Sequence, residues 1–122
     1  MEKEISTQMC SFEVAAPYLV KSLSGDDVPL RLECENGISQ CWQFNKGEAY
    51  MLTRGEGKEL VICCFEGKNL KSFVDHIFKA AKVCGFSSIR FHTKRPAILK
   101  LLNQRFHLIE NRGYEQVFRS EF

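Results

Sequence analysis

Glu66 stands directly after the apolar run Leu60-Val61-Ile62-Cys63-Cys64-Phe65 and directly before a helical pattern, which makes it a carboxylate at the end of a strand. Such a group can accept a proton as a general base, directly or through a water molecule. The competing reading is an exposed acid beside a helix start. His92 closes the short segment Ser88-Ile89-Arg90-Phe91-His92 and shares a strand side with Arg90. With Lys94 and Arg95 it falls at the C-terminal edge of that strand, where open α/β sheets bind ligands. No catalytic partner for His92 is visible in the sequence. Arg90, His92, Lys94 and Arg95 therefore read as structural or interface residues. His76 lies on the polar flank of its helix and His107 in a strand, and neither suggests a mechanism. The six cysteines are Cys10, Cys34, Cys41, Cys63, Cys64 and Cys84; they contain no CxxC pair, no zinc-ligand spacing and no nearby His or Asp pattern. They read as small buried apolar residues, with no disulfide framework and no metal.

These groups need a scaffold. From Leu70 the apolar residues recur at Phe73, Val74, Ile77, Phe78, Ala81 and Cys84, with Lys71, Asp75, Lys79 and Lys82 opposite. That spacing predicts a helix with one buried face, capped by Asn69 and stopped by Gly85. The apolar run before it predicts a central strand covered on both faces, and 88–92 a parallel neighbour reached by a right-handed crossover. Pro96 opens a second helix carrying Ile98, Leu101 and Leu102 and ending near Gln104 or Arg105. Residues 106–109 and 114–118 read as strands around the turn Asn111-Arg112-Gly113.

The N-terminal half is more β-like. A strand is expected over 5–14, then a short helix from Pro17 to Leu23 ended by Gly25. Leu30, Leu32 and Cys34 alternate with Arg31, Glu33 and Glu35, which predicts a half-buried strand. Turns at Asn36-Gly37, Asn45-Lys46-Gly47 and Gly55-Glu56-Gly57-Lys58 divide an antiparallel meander into 38–44, 48–54 and 59–65. Gly55 and Gly57 belong to a hairpin and not to a phosphate loop, because they precede the strand and open no helix.

With 122 residues, 44% hydrophobic and 26% charged, the chain is sized for one globular domain and lacks the composition of a disordered, collagen-like or membrane-spanning chain. The start MEKEISTQ does not read as a secretory signal, which points to a cytoplasm. The net charge is +2, with a surplus of +4 after residue 85. That field suits a phosphate-bearing ligand but falls short of a dedicated nucleic-acid binder. Trp42, near Phe44 and Tyr50, reads as core, and ten phenylalanines are more than one small core covers, so some are expected at an interface.

Strand, helix, meander, then β-α-β-α-β-β resembles the N-acetyltransferases of the GNAT family. The segment 59–102, with ELVICCFEGKNL and SIRFHTKRPAILKLL, also resembles small acetyltransferase-like proteins encoded among the virion-assembly genes of tailed bacteriophages. The resemblance implies a single α/β (α+β) domain with a central mixed sheet. It further implies that the fourth and fifth strands splay, that the pantetheine arm of acetyl-CoA enters the gap, and that the pyrophosphate rests on the following helix. Here those positions are Gly67, Lys68, Asn69, Leu70 and Lys71. The chain departs from the pattern twice. The family loop reads Arg or Gln, two residues, Gly, one residue, Gly or Ala, whereas Phe65 to Leu70 supplies one glycine and places Glu66 close to the anion. The tyrosine acid falls on Leu101, which transfers no proton, and Tyr114 lies in the final hairpin. The resemblance thus implies a non-catalytic protein with no cofactor, acting in a host cytoplasm or virion through contact with other phage proteins or a host protein. Two alternatives stay open: an acetyl-CoA-dependent N-acetyltransferase with Glu66 as base, and an inhibitor of a host enzyme or defence complex.

Overall fold

In the computed structural model, the described residues are 5–23, 25–68, 70–94 and 106–122. The helix expected from Pro96, Arg95, the Asn69 cap and Leu101 lie outside them. In chain order the elements are β1 (Thr7–Cys10), α1 (Phe12–Ala15), a 3-10 turn (Ala16–Tyr18), α2 (Val20–Leu23), α3 (Asp27–Glu35), β2 (Ser39–Phe44), β3 (Ala49–Glu56), β4 (Glu59–Gly67), α4 (Leu70–Val83), β5 (Ser88–Thr93), β6 (His107–Asn111) and β7 (Gln116–Glu121). The strands form one mixed sheet in the order β1-β2-β3-β4-β5-β7-β6, with β4 and β5 its parallel pair. The α/β class, the meander and the parallel crossover pair are as expected.

Helix α4 forms because its apolar stripe is unbroken, and Phe73, Val74, Ile77, Phe78 and Ala81 are all buried. Gly85, at φ +89, ends it, and the Phe86 N–H returns to the Ala81 carbonyl. The stripe packs on one sheet face with Phe44, Ile62, Phe65, Ile89 and Phe91. On the other face Phe12, Leu19, Leu23 and Leu30 of the N-terminal helices pack on Cys41, Tyr50, Leu52 and Cys64. Eight phenylalanines are buried: Phe12, Phe44, Phe65, Phe73, Phe78, Phe91, Phe106 and Phe118. Two helical layers over one sheet make room for them, while Phe122 stays 43% exposed.

The N-terminal half departs from expectation in two places. Residues 30–35 are helical, not a strand: α3 buries Leu30, leaves Leu32 47% exposed and half-buries Cys34 one turn after Leu30. A six-residue alternation also contains an i, i+4 pair, and Asp26, Asp27 and Pro29 supply a helix start. The first strand stops at Cys10, because Ser11 caps α1 by accepting the Val14 N–H. The final hairpin is shifted towards the C-terminus, with Gly113 at φ +81 in its turn. Of the cysteines, Cys41 and Cys64 are buried, Cys10, Cys34 and Cys63 half-buried, and Cys84 exposed; all six are free thiols.

Candidate functional site

The site is the seam between β4 and β5. Four register pairs join these strands, from Glu59 opposite Ser88 to Ile62 opposite Phe91. On its other side β4 pairs Ile62 with Thr53 and Cys64 with Leu52, so Cys63 is a bulge residue with no partner on β3. A bulge bends and twists its strand. Beyond it, β4 keeps following β3 as far as Gly67, and β5 keeps following β7 through His92 and Thr93. Each strand goes with its outer neighbour, and the seam opens at its C-terminal end.

On the α4 side of the seam Phe65 and Phe91 stand edge to face with centroids 6.1 Å apart, and Phe91 meets Phe106 at 6.2 Å. On the opposite side lies a cleft of about 220 Å³ between the sheet and α2–α3, whose lining includes Ser22, Asp26, Cys63, His92, Lys94 and Glu115. His92 Nδ1 is 2.8 Å from Glu115 Oε1, and Arg90 Nε donates to His92 Nε2 at 3.0 Å. A guanidinium only donates, so the network assigns the proton to Nδ1 and leaves Nε2 as acceptor. The lone pair a base would use is already engaged. Arg112 Nη1 also donates to Glu115, at 3.0 Å. Sequence reading missed Glu115 because it reaches His92 across 23 residues, through the β5–β7 register.

Glu66 is 6% exposed, not the open carboxylate that was the competing expectation, and Ser22 Oγ donates to its Oε1 at 2.8 Å. Lys94 Nζ donates to the Ser22 carbonyl at 3.3 Å and to Asp26 Oδ2 at 2.5 Å. Ser22 is thus tied to the end of β4, and Lys94, just after β5, is tied to Ser22 and Asp26. Arg90, His92 and Lys94, the interface candidates, have side chains only 19%, 13% and 14% exposed and are bonded inward. At the paired end of the seam Glu59 collects Arg119 Nε at 2.7 Å, Arg90 Nη1 at 3.0 Å and Ser88 Oγ at 2.8 Å. Burial alone would raise the Glu59 pKa, but the hydrogen bonds of Arg119 and Ser88 and the two guanidinium charges hold it below the usual range. Arg54 and Arg90 likewise lower Glu56.

The turn into α4 is where the family resemblance puts the anion cradle. Only residues 68 and 69 separate β4 from α4. The Lys68 N–H is donated to the Glu48 carbonyl at 2.8 Å. Gly67 has φ +141, and a Cβ there would lie against the Glu48 carbonyl and 2.5 Å from Ala49 Cα. This glycine serves close packing on the start of β3. Leu70 is half-buried and Lys71 exposed on the first turn of α4. Tyr114 is 72% exposed in the last hairpin. Among the described residues no buried side-chain N or O lacks a partner, no His, Cys, Asp and Glu group is arranged to hold a metal, and no helix is long and apolar enough to cross a membrane.

No family model and no curated protein matches the sequence. Solved structures do match in shape. An IAA acetyltransferase from Bacillus cereus superposes with a TM-score of 0.71 at 12% identity, over 98% of this chain and 100% of that one. The PaiA N-acetyltransferase of Thermoplasma acidophilum, in complex with coenzyme A, gives 0.67 at 9% identity over 98% and 100%. A Bacillus subtilis acetyltransferase in complex with CoA gives 0.66 at 15% identity over 98% and 99%. The chain has the GNAT-type acetyltransferase fold.

Proposed function

We propose that this chain uses an acetyltransferase fold for binding and not for acyl transfer, as a phage protein that contacts other proteins during virion assembly or as a minor virion component. The observation that carries the non-catalytic reading is the turn from β4 into α4. In this fold a coenzyme pyrophosphate needs free N–H groups and glycine-made space at that helix start. Here the Lys68 N–H is donated to Glu48, and Gly67 is packed against Ala49. Glu66 and His92, the two groups able to act as bases, are held by Ser22 and by Arg90 with Glu115. The phage assignment is supported by the likeness of segment 59–102 to virion-region proteins. The coenzyme complexes of two structural neighbours are the reason to test acetyl-CoA first.

A ligand at a hundred times its dissociation constant stabilises the native state by about 2.7 kcal/mol. Melting with about 1 mM acetyl-CoA is expected to move the midpoint by less than about 1 °C, whereas a rise of about 5 °C or more, with CoA release on adding amines, overturns the non-catalytic reading. Mass spectrometry of purified virions tests the rest: the chain is expected in the particle or in its assembly intermediates, and its absence from both overturns the virion role.

A further inference from the structure

We propose that Cys34 and Cys41 are an oxidant-responsive thiol pair, a modification site that closes into a disulfide and fastens α3 to β2. Their sulfurs are 3.8 Å apart. A disulfide needs about 2.05 Å, so the two side chains must close by under ~2 Å. The chain turns between them from α3 into β2 at Gly37, which has φ +73. Cys41 is buried, while Cys34 is half-buried on the wall of a surface cleft of about 430 Å³, wide enough for a small oxidant. Cys10 shares that cleft and stands opposite Cys41 in the β1–β2 register. Three thiols from three elements therefore surround one spot.

The oxidant is hydrogen peroxide, and the steps balance. Cys34 Sγ attacks the O–O bond, giving a sulfenic acid and one water; Cys41 Sγ then attacks that sulfur, forming the S–S bond and releasing a second water. The two thiols lose two electrons and two protons, which reduce the peroxide. Burial, together with the carboxylates Glu33 and Glu13, raises the Cys34 thiol pKa, partly offset by its bond to Cys41. Reaction at neutral pH is therefore slow and asks for a millimolar dose. Once closed, the bridge pins the C-terminal end of the helix that also supplies Glu33 to Arg54 and Ser39.

The test uses the full chain with Cys84→Ser, which removes the exposed thiol. It is treated with about 1 mM hydrogen peroxide, then alkylated in denaturant and mapped by peptide mass spectrometry. The expected product is one dominant Cys34–Cys41 bridge, with a melting midpoint raised by roughly 5–10 °C and restored by dithiothreitol. In Cys34→Ser the rise disappears. Cys34 and Cys41 both recovered as alkylated thiols, or the same bridge mixture as urea-unfolded protein gives, overturns the proposal. A bridge with no change in melting overturns the fastening.

Discussion

The two ends of the β4–β5 seam are built from the same two strands and behave as opposites. At the paired end Glu59 is saturated by Arg119, Arg90 and Ser88, and backbone pairing runs for four residues. At the splayed end backbone pairing between β4 and β5 is gone, and two side-chain ties, Ser22 to Glu66 and Lys94 to Asp26, act as a strap on the strand tips. The bulge at Cys63 divides the two regimes. The chain thus closes the two ends of one seam by different means: backbone pairing with a charged anchor at one, its own side-chain bonds at the other.

The largest effect is expected from Gly67→Ala, because the new methyl collides with β3 backbone at a positive φ. It should cost about 3 kcal/mol or more in urea unfolding, and a loss under ~1 kcal/mol would show that the splayed tip yields easily. Next comes Glu59→Gln at the paired end, which leaves Arg90 and Arg119 short of a counter-charge and should cost about 2 kcal/mol. The same variant carries a pH signature. The folded pKa of Glu59 is held below its unfolded value, so its stabilisation is complete above about pH 4.5 and lost as pH falls through the folded pKa. Wild type should therefore lose stability in acid more steeply than Glu59→Gln; parallel acid titrations of the two would remove Glu59 as the anchor. The smallest effect belongs to the strap. Ser22→Ala should cost roughly 1 kcal/mol and speed hydrogen exchange at the ends of β4 and α2 while leaving the Glu59 end protected. Equal deprotection at both ends would mean that the seam opens as one unit.

Local patterns were legible and distant partners were not. Helix α4 could be read because its buried apolar residues keep one period across fourteen residues, and β4 because its run is continuous. Residues 30–35 misled because six residues are too few to separate a period of 2 from one of 3.6 when a helix buries only Leu30. At the seam, Glu66 at a strand end and the strand side shared by Arg90 and His92 were visible in the sequence. Their partners were not: Ser22 is 44 residues from Glu66, and Glu59 is 60 from Arg119. The packing of Gly67 against Ala49 was not legible, because it depends on the β3–β4 register.

The order of the strands also sets a schedule for folding. β7 lies between β5 and β6 although it follows both in the chain, and it brings Val117 and Phe118 to the interior and Arg119 to Glu59. While a ribosome is still adding residues 116–121, β5 has a bare hydrogen-bonding margin and Glu59 lacks one of its cations. The folding chain thus carries a sticky rim along β5 until residues 116–121 join the sheet.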